Sequence, residues 1–165
     1  MPAERLLGEV GKGHKVAFNV LNYGRFKRGA ATVGTCQTAL GESARYAAER
    51  HQFGQPIARF GAIKHKLGEM VIRTFAIESM CFRTAGLIDS MLEGDEPADD
   101  AAILAALEEY AIESSLMKVA GSEILDYVLD ENIQVHGGNG YVKDYQDERH
   151  YRDASVNRSF EGTNE

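Results

Sequence analysis

Tryptophan is absent from this sequence, and its 165 residues include only 3 prolines and 2 cysteines. So few prolines leave room for long uninterrupted helices. Cys36 and Cys81 stand far apart and form no Cys-x-x-Cys pair, so they are expected to be buried thiols in a reducing compartment. No apolar run approaches the length of a membrane-spanning helix. The start, Met1-Pro2-Ala3-Glu4-Arg5, has no apolar signal core. A cytoplasmic or matrix-like location is the default expectation. The formal net charge is −7 with no long run of one sign, which argues against broad nucleic-acid binding and against an anionic membrane surface. No glutamate is followed three residues on by histidine, so the di-iron chemistry of helical bundles lacks its ligand pattern. His14, His51, His65, His136 and His150 form no His-Glu-x-x-His element, and no metal site is expected. Gly-x-Ser-x-Gly, the hydrolase nucleophile turn, is also missing.

What remains is an ordinary globular composition, 44% hydrophobic and 26% charged, sufficient for one domain with a sizeable core. Residues 1–15 read as a loop. Gly8-x-x-x-x-Gly13 has the outline of a phosphate loop, but His14-Lys15 stands where Lys-Ser/Thr is required. From Val16 to about Arg50, Gly29, Ala30, Ala31, Gly34, Thr38 and Gly41 recur at helical spacing. Glycine disfavours a helix by about 1 kcal/mol relative to alanine, so this many imply close approach of another helix or of a ligand. Gly54 and Pro56 break the pattern. Phe60, Ile63, Leu67, Met70, Val71, Thr74, Ile77 and Cys81 then predict an amphipathic helix to about Leu92. Glu93–Pro97 is expected as an acidic surface loop. A third helix is predicted over about 98–134, with Asp99 and Asp100 in its first turn and Ile103, Leu107, Tyr110, Ser114, Met117, Gly121, Ile124 and Val128 on its inner face. Tyr145 to about Asn157 reads as one or two short helices. With no period-two strand and no internal repeat, the expected fold is an all-α, up-down helical bundle.

Two compact polar clusters mark the last third of the chain. Gln134-Val135-His136-Gly137-Gly138-Asn139-Gly140-Tyr141, expected as a turn, carries a Gly-Gly-x-Gly run. Such a run either caps a helix or brings backbone N–H groups up to a ligand. Phe160-Glu161-Gly162-Thr163-Asn164-Glu165 presents one carboxylate between an aromatic ring and a glycine. That suits a base in a tight pocket, although an acidic residue near a chain end is usually solvated. Glu148-Arg149-His150-Tyr151-Arg152-Asp153-Ala154 lies between them.

Taken together with Arg50-His51-Gln52-Phe53-Gly54-Gln55-Pro56-Ile57 and the helix from Phe60 through Met70, these segments resemble, in order and spacing, the C-terminal helical domain of the acyl-CoA dehydrogenases. The resemblance covers essentially the whole chain. Leu21-Asn22-Tyr23-Gly24-Arg25-Phe26 and Ile77-Glu78-Ser79-Met80 are most similar to the very-long-chain branch and its bacterial relatives.

The resemblance implies a three-domain parent of which this is the third domain. Residues 1–15 would be the linker from a missing middle domain, and 16–165 a bundle whose last helix is missing. It implies oxidation of an acyl-CoA thioester to the trans-2-enoyl-CoA in fatty-acid β-oxidation, with FAD as cofactor and an electron-transferring flavoprotein as acceptor. Glu161 takes the place of the base. Some relatives put the base just before the arginine of the first helix, where this chain has Gly24. Arg50, Gln52, Phe53, Gln134, Gly137, Gly138 and Thr163 fall at FAD-contacting positions, some reaching a neighbouring subunit's FAD in a dimer or tetramer. Asn22, Arg25 and Gly162 fall on the acyl-CoA side. The fragment alone is expected to be inactive and without FAD. An acyl-CoA oxidase-like relative would differ in oxygen access. A non-catalytic helical oligomerisation domain would not need Glu161, Arg50 and Gln134 together.

Overall fold

The computed structural model describes residues 5–94 and 98–165, so part of the expected Glu93–Pro97 loop lies outside the described residues. Among the described residues the chain forms five α-helices: α1 Gly13–Glu49, α2 Gly61–Leu92, α3 Asp100–Glu109, α4 Ala111–His136 and α5 Asp147–Ser155. Short 3-10 turns follow at Ile57–Arg59, Gly137–Tyr141 and Val156–Arg158. The all-α expectation holds, and the first helix begins at Gly13 rather than Val16. A small hairpin, β1 His51–Gln52 with β2 Gln55–Pro56, closes the turn between α1 and α2. Among the described residues no helix is long and apolar enough to cross a membrane.

Cross-helix pairs give the directions. Asn19 meets Glu108, Arg25 meets Ser115 and Ser43 meets Asn132, so α3 and α4 run parallel to α1. Lys66 reaches Glu131, while Arg73 stacks on Tyr127 at 4.1 Å, so α2 runs antiparallel to α4. α5 returns along α1, with His150 beside Glu42 and Asn157 accepting a hydrogen bond from Arg28. The core is centred on Cys36, Ala39, Met70, Leu125, Val128 and Leu129.

The third predicted helix is two helices. It breaks at Tyr110, where φ −98° and ψ 28° leave the helical range. No proline or glycine announces the break. The backbone ladder continues across it through Tyr110 N–H to Ala106 O and Ser114 N–H to Tyr110 O, and α3 packs on both α1 and α2. Tertiary packing overrides an apolar period that runs through the site. Of the predicted inner faces, Met70, Thr74, Ile77, Ser114, Met117, Gly121 and Val128 are buried, whereas Val71 and Ile103 point to solvent. Asp99 is the N-cap of α3, accepting from Ala102 N–H at 2.8 Å, an interaction that typically contributes about 1 kcal/mol. At the other end of the pair, Gln134 and His136 remain helical and the expected turn starts at Gly137.

Candidate active site

Glycine 24 opens a notch on α1, and Glu161 fills it. A Cβ built at Gly24 would fall 2.5 Å from the Glu161 carboxylate carbon and 2.5 and 2.8 Å from its oxygens. Glu161 reaches this notch from a turn whose backbone is left-handed at two successive residues, φ +56° at Glu161 and +96° at Gly162. Only glycine adopts such angles freely; for glutamate the conformation persists because its surroundings hold it.

The holding groups are cations. Arg25 Nε donates to the Glu161 carbonyl at 3.1 Å, and its Nη1 donates to Ser115 Oγ at 3.2 Å. Lys118 of α4, only 2% exposed, donates to Arg158 O at 3.1 Å, Gly162 O at 2.6 Å and Asn164 Oδ1 at 2.6 Å. Asn164 in turn donates to Ser122 Oγ and Glu123 Oε1. Burial, and then the neighbouring Arg25 charge, push the Lys118 ammonium below its ordinary value, against the opposing pull of Glu165, Glu123 and Glu161. Arg28 stacks on the Phe160 ring at 4.7 Å. Among the described residues no cation or donor engages the Glu161 carboxylate, and its backbone N–H donates to no protein acceptor. The turn therefore presents one carboxylate and one amide N–H side by side, both unused. Thr163 is exposed beside them, and Asn22, 7% exposed, faces the bundle one turn before Arg25.

The other candidate residues gather at the far end of α1. Arg50 is its C-cap and is exposed, and its guanidinium makes no ion pair among the described residues. The hairpin that follows turns on Phe53 and Gly54 with φ +53° and +79°, a type I′ pattern that ordinarily selects Asn-Gly. Phe53 is 92% exposed. A bulky side chain held at positive φ and pushed into solvent is costly, and such strain concentrates at contact sites. The end of α4 lies alongside: Tyr46 packs on His136 with ring centroids 4.2 Å apart and accepts from Asn139 Nδ2 at 2.9 Å. Gly137, φ +59°, caps α4, with its N–H donating to Ile133 and Gln134 carbonyls. Gly138 is exposed with open space around it, whereas Gly140 is packed against the Ile133 backbone. So the Gly-Gly-x-Gly run is both a helix cap and an exposed backbone surface.

The residues present could hold a dinucleotide here: a free guanidinium for pyrophosphate, the Gln52 and Gln134 amides, an exposed aromatic ring, and backbone without a Cβ at Gly137 and Gly138, the Gly137 N–H being already used as the cap of α4. The two clusters are separated by the α1 segment from Gly24 to Glu49, roughly 38 Å at 1.5 Å per residue. That exceeds the reach of one dinucleotide. Among the described residues no group of three His, Cys, Asp or Glu side chains could hold a metal.

Sequence reasoning missed Lys118, Ser115 and Asn164. A lysine one position from Met117 reads as a solvated helix residue, and its partners lie 40 to 46 residues further along the chain.

A family model for the acyl-CoA dehydrogenase C-terminal domain matches residues 11–165. The chain is 48% identical over 168 residues to a Bacillus subtilis protein named a probable acyl-CoA dehydrogenase, covering 100% of this chain and 28% of that relative. It is 38% identical over 165 residues to the mitochondrial very long-chain specific acyl-CoA dehydrogenase of Rattus norvegicus, of which it spans 23%. Among solved structures, the acyl-CoA dehydrogenase of Bacillus anthracis complexed with FAD matches with TM-score 0.93 and 53% identity, over 99% of this chain and 29% of that one. The chain thus spans about a quarter of the length of these two curated relatives.

Proposed function

The chain belongs to the acyl-CoA dehydrogenase family as its C-terminal helical domain, and on that premise we propose that it supplies the catalytic base and part of the flavin-binding surface of an FAD-dependent enzyme converting acyl-CoA to trans-2-enoyl-CoA. The observation that carries this reading is the Glu161 turn: a carboxylate seated against Gly24 that no cation ion-pairs or hydrogen-bonds among the described residues, and a backbone N–H with no protein acceptor. Glu161 takes the α proton of the thioester onto a carboxylate oxygen. The electron pair left at the α carbon becomes the new double bond as hydride leaves the β carbon. Bound FAD supplies the acceptor for that hydride. Charge developing on the thioester oxygen needs a positioned donor, and the Glu161 N–H is the one the turn leaves open.

The remaining roles follow the two clusters. Arg50 meets pyrophosphate charge as a planar, permanently charged donor. Gln52, Phe53, Gln134, Gly137 and Gly138 approach the flavin nucleotide, while Thr163 meets FAD from beside the base. Asn22, Arg25 and Gly162 shape the acyl-CoA side. Arg25 acts there chiefly through the turn, since its Nε and Nη1 are already engaged. Because one copy cannot bring both clusters to the same dinucleotide, the working enzyme is a homo-oligomer in which copies share flavin sites. Fatty-acid β-oxidation is the matching physiological setting, with an electron-transferring flavoprotein reoxidising the cofactor.

The test is Glu161→Gln in the full-length flavoprotein. The swap keeps size but removes the basic carboxylate. The variant is expected to bind FAD and acyl-CoA normally and to show no flavin bleaching under anaerobic mixing. Bleaching at the parent's rate would remove Glu161 from the role of base.

A further inference from the structure

Resting on the reading of Glu161 as the base, we propose that Lys118 is the positioning residue of the reaction, its ammonium tying the base-bearing turn to α4 at three points. The three acceptors, Arg158 O, Gly162 O and Asn164 Oδ1, bracket Glu161 on both sides in sequence. An ammonium has three donors and no acceptor, so the charged form satisfies all three at once. Arg25 Nε holds a further carbonyl between them, that of Glu161 itself. The carboxylate and the amide N–H of Glu161 are thereby left for substrate, with the backbone around them fixed.

The alternative is that Lys118 merely stabilises the fold. Its surroundings argue otherwise. The side chain is almost fully removed from water, on a helix face it shares with Ser114, Ser115, Gly121 and Ser122, and the guanidinium of Arg25 on α1 adds like charge. The carboxylates facing it, Glu123 of α4 and Glu161 and Glu165 of the terminal segment, offset this only in part. A buried ammonium is an expensive way to gain stability. What it provides, and an apolar side chain could not, is a fixed geometry for a left-handed turn.

The full-length flavoprotein carrying Lys118→Met, Lys118→Arg or Glu161→Gln tests this, with palmitoyl-CoA and the same thioester deuterated at the α carbon as probes. The readouts are flavin content, thioester affinity, the anaerobic rate of flavin reduction per bound flavin, and the α-deuterium isotope effect. Misplacing a reacting group by about 1 Å can cost on the order of 10²-fold in rate. Lys118→Met is therefore expected to keep flavin and thioester binding, reduce its flavin about 10²-fold more slowly, and show a larger isotope effect as proton removal limits the rate. Lys118→Arg keeps the charge, but a planar fork does not reproduce three-point attachment, so it should fall between parent and Met. If Lys118→Met fails to fold, the Arg variant carries the test by the same readouts. Flavin reduction at the parent's rate and isotope effect in either soluble variant overturns the proposal. So does an activity loss fully explained by lost flavin. If Glu161→Gln is silent while both Lys118 variants behave as the parent, only the Lys118 proposal fails. If the parent is not bleached, or Glu161→Gln is as fast as the parent, the underlying reading fails instead.

Discussion

Gly24 and Glu161 compete for one volume, and only one of them can carry a side chain there. An alanine Cβ at position 24 would sit 2.5 Å from the Glu161 carboxylate carbon. The carboxylate is the movable end of a side chain, so it yields rather than the helix. Gly24→Ala should therefore leave the melting temperature unchanged or raised, since alanine favours a helix by about 1 kcal/mol, while slowing flavin reduction by about 10²-fold through displacement of the base. Thermal melts alongside anaerobic reduction check both halves; a parent-like rate would show that the notch does not place the carboxylate. Lys118 gives the pH dependence. Its folded value lies below 10.5, so between the folded and unfolded values the unfolded chain binds more protons, and this group alone makes stability rise with pH there. Activity should move the other way. As pH rises through the folded value the ammonium loses a proton, one of its three acceptors loses its donor, and flavin reduction falls. That alkaline limb should vanish in Lys118→Met. Glu161 and Gly24 were legible in the sequence, because a motif singled out one and the missing base drew attention to the other. Lys118 was not, because a buried cation whose partners are backbone carbonyls of a distant turn has no local pattern.

Along the helices, glycine separates packing from spacing. The crossing of α1 with α4 is made by Gly29 and Gly121: a Cβ at Gly29 would meet Met117 Cβ at 2.9 Å and its backbone at 3.1 Å, and one at Gly121 would meet Thr32 Oγ1 at 2.6 Å. Gly34 and Gly41, at the same apparent helical spacing, have nothing within 4 Å. Overpacking costs roughly 1–3 kcal/mol, against about 1 kcal/mol gained from helix propensity. Gly41→Ala should thus stabilise by up to about 1 kcal/mol, and Gly29→Ala should destabilise by up to about 2 kcal/mol once that gain is subtracted, both read from denaturant midpoints. A reversed order would show that the crossing is looser than this. The sequence indicated that some of these glycines admit a neighbouring helix, but not which, since the answer depends on the rotation of α4 about its axis. The break at Tyr110 was invisible for a related reason: apolar residues continue at helical spacing through it, and only packing of α3 on α1 and α2 redirects the chain. By contrast, Gly54 and Pro56 announced the turn after α1, and Asp99 announced the start of α3, because those are local demands on backbone angles and end groups.

At the scale of the molecule, the length of α1 sets what one chain can do. It carries the notch filled by Glu161 at Gly24 and ends on the Arg50 hairpin, roughly 38 Å away at 1.5 Å per residue. On the proposed reading a single copy offers two half-sites rather than one flavin pocket, and these lie open to solvent at Arg50, Phe53, Gln134 and Thr163. So few exposed contacts cannot offset the loss of translational and rotational freedom on binding, which is several kcal/mol. The 165-residue chain on its own should be colourless and catalytically silent. It should also self-associate. Phe75 and Phe82 on α2 are 67% and 72% exposed, and Ile112 and Leu116 on α4 are 72% and 57% exposed, and apolar faces of this kind favour association. Sedimentation with simultaneous visible absorbance reads both properties in one run: the expected boundary is larger than a monomer and absorbs no light in the flavin band. A yellow monomer that dehydrogenates acyl-CoA would show that one copy assembles a complete site, and the division of the site along α1 would have to be abandoned.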